Sequence, residues 1–173
     1  VQKLPWVLRP FFSILVSYVR HEYAKALKNM RLVIANSEHT QRELAHHFNQ
    51  PSQVIYPPVD FARFRWMGTK DYFLSSARLE DFKRVDQVIT AFKEMPDKRL
   101  IVTSGGTEKE ALMALADGAD NITFTGWVSE EELVELTGFC SGVIYLPTTE
   151  PFGITPIEAM AAGKPVIGVA AGG

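Results

Sequence analysis

The sequence predicts an α/β protein in which helices cover both faces of a parallel sheet. From residue 72 onward, short apolar runs alternate with helical patterns, and the paired prolines Pro57 and Pro58 separate this region from the residues before it. The composition, 46% hydrophobic and 22% charged, is that of a globular chain. Regular alternation of strands and helices favours a parallel sheet, because each return to the same edge needs a helical crossover.

Residues 1–56 are predicted to be the carboxyl-terminal part of one domain. Helical spacing runs from about residue 12 to 30, a strand covers 32–35, and Asn36-Ser37 begins a helix that ends near Phe48. A short strand over 54–56 leads to a linker at 57–60, Pro57-Pro58-Val59-Asp60. Because proline fixes φ and cannot continue a strand ladder, this linker is predicted to be stiff and to mark the domain boundary.

Residues 61–173 are predicted to form a second domain with a regular order of elements. Thr107 with Glu110 and Ser129 with Glu132 have the spacing of a capping box, so both glutamates are predicted to be structural. The predicted strands are 72–75, 100–103, 122–124, 143–146 and 166–169, and the predicted helices are 83–95, 107–116, 129–139 and 154–162.

Charge and cysteine content exclude several classes of site. The formal net charge of −2, with both signs mixed along the chain, gives no electrostatic footprint for nucleic acid. The single cysteine, Cys140, excludes an intramolecular disulfide and a cysteine-built zinc site, and is expected to be a small core residue in a protein of the reducing cytoplasm. No metal site is predicted.

The ends of the chain suggest a fragment, and its longest apolar run is too short for a membrane-spanning helix. The run from 11 to 19 is about half of the roughly 20 residues that a membrane-spanning helix needs. The chain has no initiator Met and ends directly after a predicted strand, so we interpret it as a fragment. The aromatic stretch 10–23, with Arg9 and Arg20 near its ends, is expected to be a core helix without its partners, or a peripheral membrane contact.

Glu150 and Glu158 are the most informative residues of the sequence. They lie eight positions apart, directly after the predicted strand 143–146, at the carboxyl end where open α/β sheets bind ligands. Carboxylates are strong acceptors for sugar hydroxyls. The backbone N–H groups of Phe152, Gly153 and Ile154 open a helix and are expected to face the anionic part of the same ligand.

Arg78 and Lys83 follow the first strand of the second domain. Two cations close to the amino end of a helix suit a diphosphate, since the helix dipole adds to their charge. Taken alone, this pair would be interpreted as a solvated basic turn. The glycine turn Ser104-Gly105-Gly106, after the second strand, is interpreted as structural.

The run from Glu150 to Ile167, with Glu-Pro-Phe-Gly at its start and Glu-Ala-Met-Ala-Ala-Gly-Lys-Pro-Val-Ile at its end, resembles the acidic motif of the retaining family 4 glycosyltransferases. The resemblance covers most of residues 31–173 and includes Arg78 and Lys83. It implies two Rossmann-like domains of the GT-B type, with residues 1–56 on the acceptor side and residues 61–173 binding a nucleotide-sugar donor. The family's first-domain glycine loop and its final helices have no counterpart here.

The resemblance also implies roles for individual residues. Arg78, Lys83, Gly153 and Ile154 would contact the donor diphosphate, Glu150, Phe152 and Gly153 the donor sugar, and Glu158 the ribose. Trp127 and Val128, after the predicted strand 122–124, would lie beside the base. No residue of the chain is assigned as a general base.

The implied activity is transfer of a hexose from a nucleoside diphosphate sugar, of the GDP-mannose or UDP-glucose type, to a hydroxyl of a glycan or lipid-linked acceptor with retention of configuration. No cofactor and no metal is implied, and the chain alone is expected to turn over little donor. Two alternatives stay open: a nucleotide-sugar epimerase or phosphorylase on the same fold, and a non-catalytic nucleotide-sugar-binding domain.

Overall fold

The computed structural model describes residues 5–172. The chain divides into two compact units, the first ending at Tyr56 and the second beginning at Pro57. This division falls where the paired prolines begin. The assignment of the units to an acceptor side and a donor side stays a prediction.

The first unit combines two helices with a small parallel pair of strands. Ser37 caps the second helix, since its hydroxyl accepts a hydrogen bond from the Thr40 N–H at 3.1 Å, and Asn49 ends that helix in the left-handed conformation with φ of 49°. The elements are a 3-10 turn at Trp6–Leu8, α1 (Arg9–Lys28), β1 (Ile34–Ala35), α2 (Glu38–Phe48) and β2 (Gln53–Val54).

The apolar residues of α1 are largely exposed in the described chain. Phe11, Ile14 and Tyr18 are each more than 60% exposed, whereas Leu27, near the end of the helix, is buried. The stretch 11–19 of α1 is apolar around most of its circumference, a pattern typical of a helix that is buried in a core. No helix among residues 5–172 is long and apolar enough to cross a membrane.

The second unit is built on a five-stranded sheet whose strands all run parallel, in the order β5-β4-β3-β6-β7. The fold class predicted from the sequence is confirmed. The strands are β3 (Phe73–Ser75), β4 (Leu100–Thr103), β5 (Ile122–Gly126), β6 (Gly142–Tyr145) and β7 (Val166–Gly168), and the helices are α3 (Val85–Lys93), α4 (Lys109–Leu115), α5 (Glu130–Phe139) and α6 (Ile154–Ala161).

Alternate residues of the strands face two separate cores. In β4, Leu100 and Val102 pack in one cluster together with α3 and α4, whereas Ile101 packs against the other. That other cluster includes Cys140 and Ala159, from the ends of α5 and α6, and Cys140 is fully buried as predicted. Because successive strand side chains point to opposite faces, this division shows that helices cover both sides of the sheet.

Two predicted helix starts need correction. Ser129 and Glu132 form the expected capping box, but Thr107 does not cap α4, which begins after Glu108. The Thr107 hydroxyl and N–H bind the Glu80 carboxylate instead, at 2.7 and 3.2 Å. Hydrogen bonds to an ionised carboxylate are stronger than those between neutral groups, so Thr107 ties its loop to the loop after β3.

The helix predicted to start at Lys83 starts later as well. Asp81–Lys83 form a 3-10 turn, and Arg84, with φ of 57°, reverses the chain before α3 begins at Val85. Lys83 therefore lies on the turn that leads into α3 and not on the helix itself.

Candidate functional site

The candidate site lies where the strand order reverses. β3 has β4 on one side and β6 on the other, so the loops that leave β3 and β6 start next to each other at the carboxyl edge of the sheet. Ligands of open α/β sheets bind in the crevice at such a switch point. The loop after β3 carries Arg78 and Lys83, and the loop after β6 carries Glu150.

Lys83 and Glu150 form an ion pair across this crevice, although they are 67 positions apart in the sequence. Their side chains are only 14% and 19% exposed. Tyr145, the last residue of β6, donates a second hydrogen bond to the same carboxylate oxygen, Oε2, at 2.7 Å. The structure thus joins one residue predicted for the diphosphate and one predicted for the sugar.

The surroundings of Glu150 stabilise its ionised form. Burial by itself raises the pKa of a carboxyl group, but hydrogen bonds from Lys83 and Tyr145 and the Lys83 charge outweigh burial and lower the pKa of Glu150. For Tyr145, burial and the neighbouring Glu150 both raise the pKa of the phenol. At neutral pH the group is therefore a carboxylate that accepts from a protonated tyrosine and an ammonium.

Arg78 lies exposed on the loop after β3, and the backbone next to it is held firmly. The Leu79 N–H donates to the Gly105 carbonyl at 3.0 Å, and the Leu79 carbonyl accepts from the Glu108 N–H at 2.9 Å. A Cβ at Gly106 would lie 2.2 Å from the Leu79 carbonyl oxygen, so only glycine fits there. The turn after β4 therefore supports the base of the Arg78 loop.

The amino end of α6 faces the same crevice. Gly153 precedes the helix in the left-handed conformation, with φ of 78°, and α6 begins at Ile154 without a side-chain cap and without an acidic residue in its first turn. A Cβ built on Gly153 would lie 3.6 Å from Glu150 Cγ, so the helix start and the acidic side chain are neighbours. Phe152, half-buried, leads into this turn. A helix start of this kind is suited to an anion.

Glu158 lies in the second turn of α6, as predicted, in surroundings unlike those of Glu150. Burial raises the pKa of its carboxyl group, and the charge of Arg63 opposes this only in part. Within the part of the chain that the structure describes, the Glu158 side chain has no hydrogen-bond or ion-pair partner. Its acceptor oxygens are therefore available to a ligand.

Trp127 and Val128 follow β5, one strand beyond β4. Trp127 is 74% exposed, and its indole lies on the turn after β4, where a Cβ at Gly105 would lie 2.6 Å from Nε1. Trp127 and Val128 also line a cavity of about 380 Å³ together with residues of α5. This cavity includes no residue of the loops after β3 and β6, so the structure does not join it to the Lys83–Glu150 pair.

Sequence reasoning missed two residues at this edge. Tyr145 was not singled out, although it is a polar aromatic residue at the carboxyl end of the strand that precedes the acidic motif. Ser104, interpreted as part of a structural turn, has φ of 81°, and its buried hydroxyl has no hydrogen-bond partner among residues 5–172. A non-glycine residue in this conformation is strained, and such strain often marks functional edges.

Residues 5–172 contain no group of three or more His, Cys, Asp or Glu side chains placed to hold a metal ion. Lys83 and Glu150 supply the paired charges of the crevice, and the amino end of α6 beside them adds the positive end of its helix dipole.

Residues 58–173 match the family of glycosyl transferases group 1. The chain belongs to this family. The match begins within the linker and covers the five-stranded unit, including both loops of the crevice.

Curated relatives of the chain carry names of the same class. The chain is 30% identical to the alpha-1,3/1,6-mannosyltransferase ALG2 of Dictyostelium discoideum, over 93% of this chain and 44% of the relative. It is also 30% identical to the O-antigen chain mannosyltransferase RfbU of Salmonella typhimurium, over 92% of this chain and 49% of the relative. The chain thus spans less than half the length of both.

Solved structures support the fold. The chain is similar to sucrose-phosphate synthase from Thermosynechococcus elongatus, with a TM-score of 0.76 and 20% identity over 89% of this chain and 44% of that one. It is also similar to HepE from Anabaena in complex with UDP and glucose, with a TM-score of 0.69 and 23% identity over 82% and 45% of the two chains. At these identities the likeness shows the GT-B glycosyltransferase fold.

Proposed function

We propose that the protein carrying this chain is a hexosyltransferase that moves a sugar from a nucleoside diphosphate sugar to an acceptor hydroxyl. The observation that carries the proposal is the Lys83–Glu150 pair at the switch point of the sheet, beside the uncapped amino end of α6. Membership in the glycosyl transferases group 1 family, and relatives named as mannosyltransferases, support it.

In this proposal four sets of groups contact the diphosphate, the sugar, the ribose and the base of the donor. Arg78, Lys83 and the backbone N–H groups at Gly153 and Ile154 bind the diphosphate and stabilise its charge as it leaves. Glu150, with Phe152 and Gly153 beside it, binds sugar hydroxyls, and Glu158 binds the ribose hydroxyls. Trp127 and Val128 contact the base.

The reaction breaks the bond between the anomeric carbon and the diphosphate and forms a bond from that carbon to the acceptor oxygen, which loses its proton. We propose retention of configuration, as in family 4 enzymes, and no metal or other cofactor. The donor is of the GDP-mannose or UDP-glucose type, and the acceptor is a glycan or a lipid-linked glycan.

We further propose a cytoplasmic location with peripheral contact to a membrane. The exposed aromatic residues of α1, together with Arg9 and Arg20, suit a membrane surface, where aromatic rings and basic side chains bind the headgroup region.

Donor binding is the first test. GDP-mannose, UDP-glucose and UDP-N-acetylglucosamine are titrated by ligand-observed NMR against the wild-type protein and an Arg78→Ala/Lys83→Ala variant. Each charge-assisted hydrogen bond contributes about 1.5–3 kcal/mol, so the variant should bind at least tenfold more weakly. Lys98→Ala is the matched control, because Lys98 is an exposed cation just before β4, at the opposite edge of the sheet.

The two outcomes lead to different conclusions. Saturable binding of one donor that only the double variant loses supports the proposal and identifies the donor class. Equal binding by wild type and double variant contradicts the diphosphate role of Arg78 and Lys83. Product analysis by NMR then separates transfer with retention from epimerisation or phosphorolysis.

A further inference from the structure

Glu150 is held by two donors that differ in rigidity. Lys83 reaches Glu150 Oε2 from a turn through a flexible four-carbon stem, whereas Tyr145 donates to that oxygen from the end of a sheet strand. The Tyr145 ring is half-buried and packs against the core cluster shared with α3 and α4. The tyrosine hydroxyl is thus the more rigidly placed of the two donors.

Both recorded hydrogen bonds to the Glu150 side chain go to Oε2. A carboxylate has about four acceptor positions on its two oxygens, so this arrangement fixes the side chain while Oε1 keeps its acceptor capacity. A loop glutamate without such partners would lose side-chain entropy each time it bound a ligand. Two donors on one oxygen remove that cost in advance.

The two donors would also respond differently to a bound diphosphate. Lys83 carries a positive charge on a flexible stem, so an anionic phosphate oxygen attracts it away from Glu150. Tyr145 is neutral and has one donor hydrogen, and burial and the neighbouring carboxylate raise the pKa of its phenol. Tyr145 therefore has no electrostatic reason to leave Glu150 when an anion enters the crevice.

We propose that Tyr145 is a positioning residue for the donor sugar: it holds Glu150 by Oε2 so that Oε1 accepts a sugar hydroxyl, and it keeps the carboxylate in place when Lys83 turns to the diphosphate. This inference rests on the proposed function, in which Glu150 binds the sugar. It assigns Tyr145 an effect on the sugar part of the donor and none on the diphosphate part.

Tyr145→Phe tests the inference, because it removes the hydroxyl and keeps the ring. Affinities of the protein that carries this chain are measured by calorimetry for GDP-mannose against GDP and for UDP-glucose against UDP. The variant should bind the nucleotide sugar about tenfold more weakly and the nucleoside diphosphate with unchanged affinity. The Glu150 carboxyl is also titrated by carbon NMR, and its pKa should rise in the variant because one stabilising hydrogen bond is lost.

Tyr72→Phe is the matched control. The Tyr72 hydroxyl donates to the Leu136 carbonyl at 2.9 Å, and Tyr72 does not contact Glu150. Tyr72 precedes β3 and lines the cavity beside Trp127, so any effect of this change on the base is common to the nucleotide sugar and the nucleoside diphosphate. This change should alter stability and leave both the ratio of the two affinities and the Glu150 titration unchanged.

Glu150→Gln separates the two ways in which the inference could fail. If Glu150→Gln weakens the nucleotide sugar more than the diphosphate and Tyr145→Phe does not, the inference is wrong and the proposed role of Glu150 stands. If Glu150→Gln weakens the binding of nucleotide sugar and nucleoside diphosphate equally, the role of Glu150 in sugar binding is wrong and the inference falls with it. The same holds if the protein binds neither GDP-mannose and GDP nor UDP-glucose and UDP. Equal weakening of both ligands by Tyr145→Phe would show a merely structural tyrosine.

Discussion

The two glutamates at the ends of the acidic motif have different electrostatic surroundings. At the loop end, Glu150 is a half-buried carboxylate with an ammonium and a phenol on one oxygen, and the pKa of its carboxyl group is lowered. At the helix end, Glu158 is also half-buried, but burial raises the pKa of its carboxyl group and only the charge of Arg63 opposes it. The side chains are chemically identical and only eight positions apart.

This difference indicates how each glutamate is placed before a ligand binds. Glu150 already has its partners in the free protein, so its orientation is set before a ligand arrives. Glu158 is partly desolvated without a partner in the described chain, which costs free energy until a ligand supplies hydrogen-bond donors. A pair of ribose hydroxyls would supply them, in agreement with the role proposed for Glu158.

Lys83→Met should have the largest effect, because it removes the charged partner of Glu150 and leaves Tyr145 as its remaining hydrogen-bond donor. Removing one partner of a largely buried ion pair leaves an uncompensated charge, and we expect the free energy of unfolding at pH 7 to fall by about 2–4 kcal/mol. The double variant Lys83→Met/Glu150→Gln should recover most of this loss. Denaturant unfolding of both single variants and the double variant gives the coupling energy.

The ion pair between Arg63 and Glu130 is the control for this cycle. Its N–O distance is 2.9 Å, but its side chains are 42% and 78% exposed, so its coupling energy should stay below about 0.5 kcal/mol. A coupling energy of Lys83 with Glu150 as small as this would contradict the difference between the two ends of the motif.

Gly153→Ala should have an intermediate effect, since Gly153 joins the loop end to the helix end. Its φ of 78° disfavours any residue with a Cβ, although a Cβ there would meet only ordinary contacts. We expect a loss of about 1–2 kcal/mol in stability and weaker donor binding, measured by thermal unfolding and by titration.

Gly118→Ala is the matched control for Gly153→Ala. Gly118 has nearly the same φ, 76°, and nothing lies within 4 Å of its Cβ position, in a turn after α4. The strain should be similar and donor affinity unchanged. Equal donor affinity in both alanine variants would show that the start of α6 does not contribute to the proposed site.

Much of the sheet and part of the site could be predicted from the sequence, because both depend on local patterns. The bounds of β4 agree with the predicted strand, and Ser129 with Glu132 forms the predicted capping box. Thr107 was predicted wrongly, since its partner is Glu80, 27 positions away. Local spacing cannot show that a hydroxyl will donate to a carboxylate far away in the sequence instead of accepting from a backbone N–H of its own helix.

The pairing within the site depends on sheet order, which no local pattern contains. The sequence marked Lys83 and Glu150 as two separate ligand contacts, but β3 and β6 are neighbours, so the two side chains meet. Tyr145 is a different case, because it lies only five positions before Glu150 and its contact with Glu150 depends on the path of the loop between them. Ser104 could not be found from the sequence, because its strain lies in backbone torsion and not in residue type.

The pH dependence of stability should show the smallest effect. It compares the contributions of Glu150 and Glu158 to the free energy of unfolding directly. Glu150 has a folded pKa below its ordinary value of 4.5, so its contribution is present above pH 4.5 and is lost as the pH falls through the folded pKa. Glu158 has a folded pKa above 4.5, so its ionisation lowers stability as the pH rises through that value. The two slopes oppose each other in the wild type.

Single substitutions should separate these slopes. Glu158→Gln should raise the free energy of unfolding at pH 7 by a few tenths to about 1 kcal/mol, because it removes the decrease in stability that the ionisation of Glu158 causes above pH 4.5. Glu150→Gln should remove the increase in stability that occurs as the pH rises toward 4.5. Urea unfolding between about pH 3 and 7 measures both slopes. Parallel curves of unfolding free energy against pH for the two variants would mean that Glu150 and Glu158 have equivalent surroundings. The different roles assigned to the two glutamates would then be wrong.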